Sequence, residues 1–217
     1  MKQTLFKTLS DLLSKEIVLF VCIAALGALI LAAVPMWIFW EEWLGFVTAY
    51  LQWIPWEWLQ TTGASIAALG LGYMVFIVLI NVFTSLFSET LLIRVAKKHY
   101  PDVSATGEAS IAALIAVNLK ASVIFLALFV LFIPVLFIPV LGQLVMLYLW
   151  SVLIKEPTVY EVGSLFVQDK HIRKEKSKKA AAIALIASLF NYIPLLNIFA
   201  PIFAQILFLH YILRTDS

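Results

Sequence analysis

Two long charge-free runs, each interrupted by proline, limit the folds open to this chain more than any other feature. Residues 121–154 and 180–213 are both 34 residues long and contain no Asp, Glu, Lys or Arg. A straight helix of that length would extend ~51 Å, well beyond a membrane hydrocarbon core of ~30 Å. Proline in a helix interior removes a hydrogen bond and clashes with the preceding turn. Each run is therefore expected to form a helix, a break and a second helix.

The rest of the chain also has the composition of an integral membrane protein. Hydrophobic residues make up 63% of its 217 residues, whereas soluble domains average about half. Two further charge-free runs, 17–40 and 63–87, are long enough to span a bilayer as transmembrane helices. Because no polar linker divides the chain, we expect a single membrane domain over residues 1–217, with the lipid bilayer as its surroundings.

Amphipathic and basic segments lie between these runs. Residues 1–16 predict an amphipathic helix in the membrane interface, because leucines recur at helical spacing opposite charged side chains. A solvated arm is the alternative. Residues 88–108 predict a cytoplasmic amphipathic helix, and the Lys- and Arg-rich segment 155–179 is cytoplasmic by the positive-inside rule. The N-terminus is then expected on the cytoplasmic side.

The proline-broken runs are expected to be hairpins, 109–154 and 180–213, that enter and leave the membrane on one side. Their arms are short, and the first arm, Ala121 to Ile133, lengthens only by taking Lys120 into the membrane. Partial penetration is favoured over six full spans. The predicted fold class is an all-α integral membrane protein, with two long transmembrane helices, two Pro-broken, partly penetrating helical hairpins and amphipathic interfacial helices.

The two breaks resemble each other. IPVLFI at 133–138 and IPLLNI at 193–198 align as Ile-Pro-x-Leu-x-Ile. Irregular backbone at membrane depth has to be covered by protein or face a watery cavity, and repeated broken helices are typical of transporters. The free N–H groups at a half-helix N-terminus would suit an anion. Polar side chains in the breaks are alternatively explained as partners of the local backbone.

The candidate pathway residues follow from charge and from the breaks. Glu89 and Lys120 are the most unusual charges, since each adjoins or interrupts an apolar segment. Gly142, Pro194 and Asn197 are expected to shape the breaks.

Other kinds of site are not predicted. His99, His171 and His210 are scattered without metal-ligand spacing, and the lone Cys22 excludes a CxxC site. No nucleotide-binding or catalytic motif is present. We therefore expect no metal, no cofactor, no catalytic residue and no nucleic-acid partner, and passage of a solute would not use ATP hydrolysis.

The motifs IPVLGQ at 138–143 and IPLLNIFAP at 193–201 resemble the CysZ-type sulfate permease family, which is grouped with etoposide-induced membrane proteins. FTSLFSE at 83–89, Trp150 and Pro157 also stand in family-like positions. The resemblance implies an all-helical bacterial inner-membrane protein that forms homo-oligomers and takes up sulfate for cysteine synthesis.

One family motif is missing. Members commonly carry a Pro-Gly-Leu-Arg type motif, associated with sulfate binding, between the first amphipathic helix and the first long helix. The equivalent stretch here, residues 10–20, reads SDLLSKEIVLF, without Pro, Gly or Arg. Lys15 can replace part of the charge, but lysine lacks the bidentate fork that arginine offers an oxyanion.

The sequence therefore favours a permease or channel for a small inorganic anion, sulfate first. The alternative is a non-transporting membrane protein that organises lipids or partner proteins through its amphipathic helices and basic segment. An intramembrane enzyme is disfavoured, because no paired catalytic residues occur at a shared depth.

Overall fold

All regular elements in the described part of the chain are helices. The structure, a computed structural model, describes residues 2–53, 56–60, 62–105, 107–167, 180–193 and 196–214. Its α-helices in chain order are α1 Lys2–Leu12, α2 Lys15–Ile38, α3 Trp40–Leu51, α4 Glu57–Gln60, α5 Thr62–Phe87, α6 Glu89–His99, α7 Ile111–Leu136, α8 Leu141–Phe166, α9 residues 180–188 and α10 Ala200–Arg214.

Three of these helices, α2, α5 and α7, are long and apolar enough to cross a membrane. The first two agree with the predicted spans 17–40 and 63–87. The third differs from the sequence analysis, since α7 has 26 residues and includes Lys120. Lys120 is exposed on the outer side of the bundle, where its long side chain can extend toward an interface. The first hairpin arm is therefore longer than predicted, and partial penetration of this hairpin stays a prediction.

Both charge-free runs have the expected form of helix, break and helix. In the first run the turn lies between Leu136 and Leu141, and Pro134 is in the last turn of α7 rather than in the break. In the second run, short 3-10 turns at Leu189–Tyr192 and Asn197–Phe199 separate α9 from α10. The first hairpin turn is thus formed a few residues after Pro134.

The helix α8 extends beyond its predicted end at residue 154. It continues through Pro157 to Phe166, so the segment 155–179 begins as helix. This half of α8 packs against α10, and its Val162 and Leu165 are fully buried in the same apolar cluster as much of α10. Tertiary packing of these apolar residues keeps the helix continuous past the proline and the adjacent charges.

The N-terminal helix α1 is amphipathic, but the side that packs on the protein is mixed and includes several polar residues. Thr4, Thr8 and Asp11 are buried, and α1 contacts mainly α10. By contrast, Phe6 and Leu13 are 76% and 78% exposed. Much of the apolar surface of α1 therefore points outward, as it would if a lipid interface covered it.

A chain of buried polar side chains links α5 to α7 and α8. The Asn118 amide donates to Ser85 Oγ and to the Leu114 carbonyl, both at 2.9 Å. Asn81 donates to Asn118 Oδ1 at 3.4 Å and to the Leu153 carbonyl at 3.3 Å. Interhelical bonds of this kind join apolar helices, which have little hydrophobic driving force between them in lipid.

A second set of polar contacts surrounds Glu161, which is completely buried on α8. Ser88 donates to its Oε1, and Gln205 of α10 donates to its Oε2 at 2.6 Å. These bonds join the C-terminal half of α8 to α10 and to the junction of α5 with α6. A buried carboxyl group without such donors would be costly, so the three residues form one structural unit.

Replacing Asn118 by Ala is expected to destabilise the protein by about 1–2 kcal/mol, because it removes hydrogen bonds between apolar helices. The matched control is Ser122→Ala, one turn further along α7, since the buried Ser122 hydroxyl has no partner in the described part of the chain. Ser122→Ala should be neutral or slightly stabilising. Thermal unfolding in detergent, followed by circular dichroism, compares the two variants, and equal effects would contradict this role for Asn118.

Gly142→Ala is expected to destabilise the first hairpin turn. A Cβ atom at this position would lie 2.5 Å from the Leu136 backbone carbonyl oxygen, and such overpacking costs about 1–3 kcal/mol. Gly70→Ala on α5 is the control, because nothing lies within 4 Å of its added Cβ. Unfolding temperatures should fall for the first variant only; an unchanged midpoint in Gly142→Ala would show that the turn adapts.

Candidate functional site

A cleft of about 380 Å³ lies between the elbow that joins α1 to α2 and one face of α6. Its lining residues are Asp11, Ser14, Lys15, Glu16, Ile17, Leu91, Arg94, Val95 and Lys98. The four residues from α6 recur at positions i, i+3, i+4 and i+7, which helix geometry places on one face. The cleft therefore combines an elbow near residue 14 with an amphipathic helix that is far away in sequence.

The N-terminus of α2 opens into this cleft. The helix begins at Lys15, and Ser14 before it has extended backbone and makes no side-chain capping bond. The first N–H groups of a helix have no partner within the helix, and the helix dipole places partial positive charge at this end. Together these groups favour an anion beside residues 15–17.

The charges around the cleft add to this positive end. Lys15, Arg94 and Lys98 supply three cations against the two carboxylates of Asp11 and Glu16, which leaves one net positive charge. The Lys15 side chain is exposed. The cleft is thus positive overall while still holding acidic groups that compete for its cations.

The ion pair between Arg94 and Glu16 is weakly held. Arg94 Nη1 lies 2.9 Å from Glu16 Oε2, and the two side chains are 61% and 63% exposed. Exposed pairs of this kind contribute ~0–1 kcal/mol. An incoming oxyanion can therefore replace the Glu16 carboxylate on the guanidinium at little cost.

The ion pair between Lys98 and Asp11 is different, because the carboxylate is buried. Lys98 Nζ lies 2.7 Å from Asp11 Oδ1, and Asp11 is only 2% exposed. Burial acts to raise the pKa of Asp11, but hydrogen bonds from His210, Lys98 and His99 outweigh burial and hold that pKa well below its ordinary value. Asp11 is therefore ionised at physiological pH.

Two histidines complete the surroundings of Asp11. His99 Nε2 lies 2.8 Å and His210 Nε2 lies 3.3 Å from Asp11 Oδ2. His210 is fully buried, and its Nδ1 lies 3.2 Å from the Tyr100 hydroxyl. The cluster joins three helices, α1, α6 and α10, behind one wall of the cleft.

The polar groups of the second break contact other parts of the protein rather than only their own backbone. The Asn197 amide donates to the Tyr73 hydroxyl on α5, and the Tyr192 hydroxyl donates to the Gln143 carbonyl at the start of α8. Both polar side-chain atoms of the buried Asn191 have no partner in the described part of the chain. The two breaks therefore touch each other through Tyr192 and Gln143.

The residues predicted for an anion pathway do not converge at one place. Lys15 lines the cleft, whereas Glu89 is half-buried at the start of α6 and Lys120 is exposed on α7. The buried residues Gly142 and Asn197 belong to the first and second breaks respectively. Pro194 lies outside the described residues.

Sequence reasoning missed most of the cleft and the whole histidine cluster. The segment 88–108 was predicted only as a cytoplasmic amphipathic helix, although the spacing of four residues between Arg94 and Lys98 places both on one face. The histidines are scattered in the sequence without metal-ligand spacing, and Asp11 is 88 residues from His99 and 199 from His210. No local pattern connects positions so far apart.

The comparisons with known proteins agree with the resemblance. The family model for the sulfate transporter CysZ and etoposide-induced protein 2.4 matches residues 4–201, which is most of the chain. No curated protein and no solved structure gives a significant match. The matched range includes the cleft, both breaks and the start of α10. The chain therefore belongs to the sulfate transporter CysZ/etoposide-induced protein 2.4 family.

Proposed function

We propose that this protein is a permease or channel that passes a small inorganic anion, sulfate first, across the bacterial inner membrane for sulfur assimilation. The observation that carries the proposal is the cleft, in which Lys15, Arg94 and Lys98 surround the uncapped N-terminus of α2. Family membership supports a role related to sulfate transport. The surrounding bilayer, a cytoplasmic N-terminus and a homo-oligomeric assembly are part of the same proposal.

Sulfate suits this cleft because its oxygens need several hydrogen-bond donors arranged around one negative centre. The first N–H groups of α2 provide donors from one side, and the Arg94 guanidinium provides a planar fork from the other. Arg94 comes from α6, so the arginine that is missing from residues 10–20 is supplied by another helix. Lys15 and Lys98 add charge without fixing orientation.

The acidic residues of the cleft allow the anion to bind and to be released. Glu16 holds Arg94 in an exposed pair and can be exchanged for the anion. Asp11 stays bonded to its buried partners and holds Lys98 at the edge of the cleft. Binding is then strong enough to select an oxyanion and weak enough to release it, which passage requires.

Changing the cleft charges should change sulfate affinity in opposite directions. Arg94→Ala is expected to weaken binding by about tenfold, because it removes a charged hydrogen-bond donor. Glu16→Gln should tighten binding, because it frees Arg94 from its carboxylate. Titration calorimetry with sulfate on purified protein in detergent, at fixed ionic strength, measures both.

Lys97→Ala is the matched control for Arg94→Ala. Lys97 lies on the same helix and is exposed, but it does not line the cleft. Its loss removes the same charge and should leave sulfate affinity within about twofold, since screening in salt weakens distant charges. Equal losses for the two variants would mean that general attraction, and not the cleft, governs binding.

Transport itself is tested in liposomes loaded with folded protein and supplied with labelled sulfate. Uptake should exceed that of empty liposomes and should fall in Arg94→Ala relative to Lys97→Ala. Circular dichroism of the reconstituted protein confirms folding. No uptake above empty liposomes, with folded protein present, would overturn the proposal.

The outward apolar face of α1 favours the second candidate, a non-transporting protein that organises lipids or partner proteins. Phe6 and Leu13 are exposed there and are suited to an interface. Under this function, changing both residues to Ser would abolish the binding of lipids or partner proteins, while Arg94→Ala would be tolerated. The transport proposal expects Arg94→Ala to be the more damaging change.

A further inference from the structure

We propose that Asp11, His99 and His210 form a binding site for one divalent transition-metal ion of the zinc class. One ligand atom from each residue can be chosen so that all three lie within 4.8 Å of one another. Two imidazole nitrogens and one carboxylate oxygen are donors that zinc accepts in proteins. The inference rests on this cluster and does not depend on the proposed transport of an anion.

The distances are close to those of a tetrahedral site. Donor atoms bound to one zinc ion at ~2.0–2.2 Å lie about 3.3 Å apart from each other. Asp11 Oδ2 and His210 Nε2 already have a separation of 3.3 Å, and Asp11 Oδ2 and His99 Nε2 have 2.8 Å. The separation of Asp11 Oδ2 from His99 Nε2 would have to widen by about half an ångström to match this geometry, and the His99 ring is partly exposed.

Outer contacts orient two of the three ligands, His210 and Asp11. A histidine that binds metal through Nε2 carries its proton on Nδ1 and usually donates it to an oxygen. His210 Nδ1 lies 3.2 Å from the Tyr100 hydroxyl, which can accept that proton. The other oxygen of Asp11 is bonded to Lys98 at 2.7 Å, so Oδ2 remains for the ion.

The position of the cluster gives the ion a route from solvent. His210 and Asp11 are buried, but Asp11 and Lys98 also line the cleft. Three protein ligands and a water from the cleft would complete four-coordination. Donors with two imidazoles favour zinc and its neighbours over Mg²⁺ and Ca²⁺, which prefer all-oxygen sites.

Binding would connect α1, α6 and α10, because each contributes one ligand. An ion that binds only the folded arrangement stabilises it by mass action. Zinc is therefore expected to raise the unfolding temperature, whereas Mg²⁺ is not. The effect should saturate at one zinc ion per chain.

The experiment uses full-length protein without a histidine tag, first stripped of metal with a chelator and then exposed to Zn²⁺ or Co²⁺. Mass spectrometry of the metal content gives the stoichiometry, and the visible absorption of bound Co²⁺ reports nitrogen and oxygen ligation. Unfolding temperature with and without Zn²⁺ is the second readout. One ion per chain with a visible cobalt spectrum is the expected result.

His99→Ala is the decisive variant, because its ring is partly exposed while truncation of the buried His210 can disturb packing. It should weaken zinc affinity by about tenfold or more while the metal-free unfolding temperature stays within a few degrees of the parent. His171→Ala removes the third histidine of the chain, which lies outside the described residues, and should bind zinc normally. Unchanged zinc affinity in His99→Ala or loss of zinc binding in His171→Ala would overturn the site, as would parent protein that takes up none.

Discussion

The contacts of the buried Asp11 carboxylate are the interaction on which the arrangement of α1, α6 and α10 depends. The partners of Asp11 lie on α6 and on α10, so this side chain links α1 to two helices that are far away in sequence. An unpaired charge at this depth would cost several kcal/mol. The side of α1 that carries Asp11 therefore has to turn inward, and the elbow after α1 comes to lie against α6. The cleft exists because of that placement.

The long helices could be predicted from sequence because their signal is local. A charge-free apolar run of sufficient length indicates a helix that suits a membrane, and α2 and α5 begin and end within two residues of the predicted bounds. The interruption of the two longest runs was likewise visible from proline. The exact turn was not, because α7 continues past Pro134 and ends at Leu136.

The extent of α7 and α8 could not be predicted in the same way. Lys120 and the charges near Pro157 are unfavourable for an apolar helix when each is judged alone. In the fold, Lys120 faces outward while Asn118, two residues earlier, faces the buried bonds to α5. An apolar helix tolerates a charged residue when that residue lies on the side that does not pack against other helices. Which side packs is decided by contacts between helices, and these are not visible in a local stretch of sequence.

The candidate site was the least predictable part, since it joins the α1–α2 elbow to α6 and α10. The sequence predicted that α1 is amphipathic. It did not predict which side of α1 packs on the protein, because apolar side chains can be covered by lipid as well as by protein. Lys15 is the one predicted pathway residue that lines the cleft. It was predicted from the position of the family motif that is missing from residues 10–20, and that segment forms the elbow of the cleft. Arg94 required knowledge of the fold.

The packing of α1 has a mechanical meaning. A helix that adheres only through apolar contacts resists separation through the hydrophobic effect. In α1 that contribution comes from Leu12, which is buried, and from the partly buried Leu5, while Phe6 and Leu13 face outward. Separation of α1 would also break the polar bonds centred on Asp11. Attachment of α1 therefore depends on a small apolar contact together with the charge state and partners of one acidic side chain.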